Sequence, residues 1–116
     1  MTTLNADLLR AALADIEAYP EQWEPQAWAA RSEAGSETYS LAARICLRAG
    51  LSIDWTRCNE WGAATWLTDR RTIPDAAREL LGLHLLDAYK LFDVENGVAK
   101  SRKVAERMIK RYKAGR

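Results

Sequence analysis

Thr72-Ile73-Pro74-Asp75-Ala76-Ala77-Arg78-Glu79-Leu80-Leu81-Gly82 is a helix with both of its ends written into it. Thr72 can cap the first turn, Pro74 is tolerated where its missing N–H costs no hydrogen bond, and Asp75 can reach back as in a capping box. Gly82 stops the helix, because it adopts the left-handed backbone that ends one at little steric cost. This reading sets the expectation for the chain on either side.

Upstream, Leu9, Ala12, Leu13 and Ile16 recur at the spacing that places them on one helical face, with Asn5 as cap and Pro20 closing the segment after Tyr19. Trp23, Pro25 and Trp28 predict a short helical turn whose indoles lie over that first helix. Ser36 is expected to cap a second long helix carrying Leu41, Ala42, Ile45, Cys46 and Ala49, closed by Gly50. Between Leu51 and Thr68 the period shortens, with Ile53 and Trp55 alternating against Ser52 and Asp54 and then Thr65, Trp66 and Leu67, which predicts a small β-hairpin.

Downstream, Leu85, Ala88, Tyr89 and Phe92 predict a further amphipathic helix, followed by the turn Asp93-Val94-Glu95-Asn96-Gly97. Val98, Val104, Ala105, Met108, Ile109 and Tyr112 keep helical spacing, so residues 98–113 read as a basic amphipathic C-terminal helix with its cations facing out. The expected fold is mainly α, a compact bundle of about five helices with a small β-hairpin. At 116 residues it forms one domain, residues 1–116.

Charge is segregated along the chain. From Lys100 to Arg116 eight basic side chains face only Glu106, a net of +7, whereas the preceding residues hold nine basic and fifteen acidic side chains, a net of −6. Such a dipolar molecule biases association with charged partners. The N-terminal Met-Thr-Thr-Leu-Asn has no signal-peptide pattern, and no apolar run approaches the roughly twenty residues of a membrane span, which points to a cytoplasmic protein without membrane contact. Two cysteines, Cys46 and Cys58, are too few for a disulfide framework or a four-ligand zinc site, and Cys46 reads as a small core residue.

No catalytic constellation stands out. His84 is the one histidine, set among leucines without partners for a triad or a metal, and the carboxylates read as solvated helix faces. No glycine loop cradles a phosphate and no nucleophile elbow is present. The expectation is a non-enzyme with no cofactor, metal or catalytic residue.

The candidate sites are therefore contact surfaces. Trp23, Trp28, Trp55 and Trp66 are expected to fill the core, while Trp61, beside Asn59, Glu60 and Gly62, is expected to project as an aromatic anchor, with Arg57, Arg70 and Arg71 as its rim. The second surface is the basic helix, with Arg102, Lys103, Arg107, Lys110, Arg111 and Lys113 as contacts. These cations would serve nucleic-acid phosphates, although no recognition motif accompanies them, or the acidic body of a second copy in a homodimer.

Glu21-Gln22-Trp23 with Trp28 five residues on, Ala34-Gly35-Ser36, the run from Ile73 to Leu83, Leu91-Phe92 and Asn96-Gly97 together resemble a family of small Trp-rich helical proteins encoded by actinobacterial phages and their hosts. The resemblance covers nearly the whole chain. Relatives often carry a Cys-Gly-Thr-like stretch where this chain has Ala34-Gly35-Ser36, so no thiol or metal role carries over. The resemblance implies an actinobacteriophage accessory gene, whose expected role is to bind a host protein in the bacterial cytoplasm and alter its activity. The alternatives are a nucleic-acid-binding accessory protein and a structural or dimerising one.

Overall fold

The computed structural model describes residues 4–24 and 26–113. Met1 to Thr3, Pro25 and Arg116, on which parts of the sequence reading fall, lie outside the described residues. Among those described, five α-helices and a three-stranded antiparallel sheet build the fold, so mainly α with a small sheet is correct, but the sheet is larger than a hairpin.

Helix α1 (Ala6–Ala18) starts where the Asn5 side chain accepts from the Leu8 N–H, and it buries Leu9, Ala12, Leu13 and Ile16. Helix α2 (Leu41–Arg48) buries Leu41, Ala42, Ala43, Ile45 and Cys46, and the chain leaves it through Gly50 at φ +91°. Helix α3 (Ile73–Leu81) is the element with both ends legible: the Thr72 hydroxyl accepts from Asp75 N–H, and Gly82 sits at φ +76°. Helices α4 (Leu85–Leu91) and α5 (Val98–Lys113) complete the set. All five contribute to one apolar cluster, whose fully buried members include Leu9, Leu13, Ile45, Leu67, Ile73, Leu81 and Leu91.

The sheet corrects the sequence reading in two places. Its hairpin lies at β1 (Ala29–Arg31) and β2 (Glu37–Tyr39), and β3 (Ala63–Ala64) pairs with the other edge of β1, giving the order β2-β1-β3. Ser36 therefore lies in the hairpin turn, where its N–H donates to the Ser32 hydroxyl and Gly35 takes φ +89°. The helix cap falls four residues later, at Ser40, whose hydroxyl accepts from Ala43 N–H at 3.2 Å. Pairing along β1, with both of its edges occupied, overrides the helix preference of Ala29-Ala30-Arg31.

The hairpin expected between Leu51 and Thr68 is reduced to an antiparallel bridge from Ile53 to Leu67. The Asp54 side chain accepts from Thr56 N–H and draws Trp55–Arg57 into a single 3-10 turn, a local bond that competes with extension. The predicted turn around Trp23 is likewise different. A 3-10 turn covers Pro20–Gln22, after which Trp23 bridges to Tyr39 in parallel and Trp28 meets Phe92 edge-on at 6.4 Å.

Two faces differ from expectation. On α4 the core takes Asp87, Ala88 and Leu91 in place of Leu85 and Tyr89, which are 49% and 66% exposed. The flanking Leu83 and Leu91 already fill the adjoining core. On α5 not all the cations face outward alone: Arg102 pairs with Glu17 on α1 and with Glu106, while Arg111 pairs with Asp87 on α4. Through Arg102 and Arg111 the basic helix docks on acidic side chains of its own chain, while Arg10 of α1 pairs with Glu106, the one acid of α5.

Candidate functional site

Asn59 organises the loop that presents Trp61. Its side-chain oxygen accepts from Trp61 N–H at 2.9 Å and Ala63 N–H at 3.0 Å, and its backbone closes on Gly62 and Ala63. Gly62 has φ +78°, and its carbonyl accepts from Arg31 N–H on β1. A Cβ at Gly62 would stand 2.2 Å from the Arg31 carbonyl oxygen, so only glycine lets this turn lie against the sheet. The indole at its tip is 81% exposed, the most exposed large apolar side chain among the described residues. Shielding from water does not explain its position; the turn holds it out.

The rim residues divide. Arg57 lies over the Trp66 ring at 4.0 Å, and Arg31 lies over Trp55 at 4.4 Å, so this side of the protein carries cations on indoles. Arg70 is exposed and takes φ +74°, the one positive φ outside glycine among the described residues. Arg71 is committed elsewhere: its guanidinium forks onto Asp69 at 2.7 Å and Glu79 at 2.9 Å, bracing the turn against α3. The hydrogen bonds that Arg71 donates to Asp69 and Glu79 raise its own pKa and lower that of Asp69. Trp23, Trp28 and Trp55 pack half-buried against the core, and Trp66 is half-buried as well.

Helix α5 sorts its cations by role. Lys103, Arg107 and Lys110 are exposed and form no ion pair among the described residues, and Lys100, three residues before Lys103, shares their face. Lys113 is exposed too, whereas Arg102 is half-buried and Arg111 lies against Asp87 at 2.6 Å. Lys100, Arg107 and Arg111, joined by Lys90 of α4 and by the carboxylate of Asp93, border a groove floored by Val104 and Met108, a mainly cationic convergence that the sequence reading missed for Lys90. Lys90 was invisible in the sequence because it lies ten residues before Lys100 on another helix.

The remaining reactive groups are quiet. Burial pushes the Cys46 thiol up to about 12, and its Sγ lies 3.6 Å from the Ile73 carbonyl oxygen. Burial, reinforced by a hydrogen bond to Glu37, likewise raises the Tyr39 hydroxyl to about 12. Among the described residues no three His, Cys, Asp or Glu side chains gather to hold a metal, and no helix is long and apolar enough to cross a membrane. No protein-family model, curated protein or solved structure matches the chain.

Proposed function

We propose that this is a non-catalytic accessory protein of actinobacteriophage type that acts by binding a bacterial host protein through the loop that carries Trp61. The observation that carries the reading is a large indole, 81% exposed, on a turn fixed by Asn59 and Gly62. A preorganised aromatic side chain loses little conformational freedom on burial and serves as an interface anchor. Arg57 and Arg70 supply the polar rim; Arg71 braces the neighbouring turn against α3. The phage origin and the bacterial cytoplasm as its setting rest on the sequence resemblance alone. The test is affinity capture from actinobacterial lysate at low and moderate salt, with and without nuclease. A host protein retained stoichiometrically by the wild type and lost with Trp61→Ala is the expected result; equal retention by both would overturn the reading.

The second reading, nucleic-acid binding, is favoured by one specific observation: Lys103, Arg107 and Lys110 lie on one face of α5 and form no ion pair among the described residues. Phosphates would neutralise these cations, and retention would then fall steeply with salt and with nuclease. A dimer would draw on the same charges, but Arg102 and Arg111 already spend part of that complementarity within one chain.

A further inference from the structure

A cavity of about 280 Å³ opens between the segment after α1, the end of α4 and β3. Three aromatic side chains line it, Trp23, Trp28 and Phe92, with the buried Ala64 among the small residues between them. Trp28 and Phe92 meet edge to face, an arrangement that fixes both rings. Two carboxylates, Glu24 and Asp93, also line it, beside the polar Gln26, Ser40, Thr65 and Ser101; neither carboxylate forms an ion pair among the described residues, and Asp93 also borders the groove that holds Lys90 and Lys100.

Both carboxylates are held in place by their own chain. Glu24 accepts from Gln26 N–H through Oε2 and from the Thr38 hydroxyl through Oε1, and Asp93 Oδ1 accepts from Glu95 N–H. The cavity therefore combines aromatic faces, which carry negative potential, with two fixed negative charges. An anion would be repelled there, and a neutral apolar ligand would cover two carboxylates without compensating them. An organic cation meets both demands.

We infer that this cavity binds an alkylammonium group. Three of the four carboxylate oxygens accept one hydrogen bond each from the chain and keep room for a second, so the site offers charge, acceptors and aromatic rings together. A quaternary head group uses only the charge and the rings, which makes it the probe that isolates them. The inference stands apart from the proposed role of Trp61, which does not line this cavity. The group could reach it on a free small molecule or on a methylated lysine of a polypeptide, and the two sources share one chemistry.

The test follows the indole N–H resonances of the intact protein by NMR, assigned through Trp23→Phe and Trp28→Phe. The titrants are choline, N-acetyl-trimethyllysine amide and the neutral isostere 3,3-dimethyl-1-butanol. Choline should shift the Trp23 and Trp28 signals saturably and leave Trp61 in place, and the isostere should bind at least about tenfold more weakly, the loss of one charge–aromatic contact. Tighter binding of the trimethyllysine amide than of choline would assign the source to a polypeptide; the reverse order would assign it to a free cation. Combined Glu24→Gln and Asp93→Asn should weaken choline about tenfold, and the melting temperature reports separately on the Glu24 hydrogen bond that the amide no longer accepts. Equal binding of choline and the isostere to the wild type would overturn the inference, as would indole signals that do not move; the isostere comparison holds even should the double variant fail to fold.

Discussion

The Tyr112 hydroxyl donates to Asp87 Oδ2 at 2.6 Å, joining the end of α5 to the one buried acidic side chain of α4. Arg111 reaches the same oxygen at 2.6 Å, and the Tyr112 oxygen in turn accepts from His84 N–H at 3.1 Å. His84 thus begins α4 with its backbone, and its ring lies 5.6 Å from that of Tyr112. A lone histidine with leucine neighbours is here part of a helix-docking contact.

Tyr112→Phe removes the donor and leaves Asp87 with Arg111 alone, so it should destabilise the fold by about 1–2 kcal/mol. Asp87→Ala should cost more, since it strands both Arg111 and the tyrosine. Urea unfolding of the three proteins checks the order, and a Phe variant as stable as the wild type would show that the hydroxyl contributes nothing.

Stability should fall in acid. Burial alone would raise the Asp87 carboxyl, but hydrogen bonds from Tyr112 and Arg111 outweigh it and hold it below the usual range. Hydrogen bonds from Arg102 and Arg10 lower Glu17 and Glu106 in the same way. Carboxyls depressed in the folded state bind protons more readily when unfolded, so their contribution is complete above the unfolded values near 4 and is lost as pH falls through the lower folded ones. Thermal melts from pH 6 to pH 2 should show this loss below about pH 4, and Asp87→Asn should flatten part of it.

Trp61→Ala should leave stability within about 0.5 kcal/mol, because the indole is exposed and buries nothing. Gly62→Ala should cost about 1–3 kcal/mol, through both its positive φ and the clash with Arg31 O. Calorimetry of the pair separates an anchor from a structural turn: comparable losses for both variants would place the indole in the fold and not on an interface.

Charge reversal on α5 should divide by position. Arg102→Glu sets a third carboxylate beside Glu17 and Glu106 and should lower the melting temperature, whereas Lys103→Glu, Arg107→Glu and Lys110→Glu should change it little. Nucleic-acid retention on a heparin or DNA column, measured against salt, should respond to the latter three if phosphates are their partners.

The sequence by itself determined the elements whose instructions are local. The Asn5 and Thr72 caps, the glycines at 50 and 82, the apolar stripe of α1 and most of those of α2 and α5 act within a few residues, so composition and spacing carry them, although Ala49 proves exposed past the end of α2. Tertiary structure decided what depends on distant partners. Ala29-Ala30-Arg31 is a strand because residues 37–39 and 63–64 flank it, and α4 turns Leu85 and Tyr89 outward because Leu83 and Leu91 reach the core first. The same holds for the surfaces. Glycine and asparagine around Trp61 were legible as a turn, but the pairing of Arg71 with Glu79, of Arg102 with Glu17 eighty-five residues away, and the gathering of Trp23, Trp28, Phe92, Glu24 and Asp93 around one cavity were not. Side chains that far apart in sequence meet only after the helices have packed, and no local spacing encodes their approach.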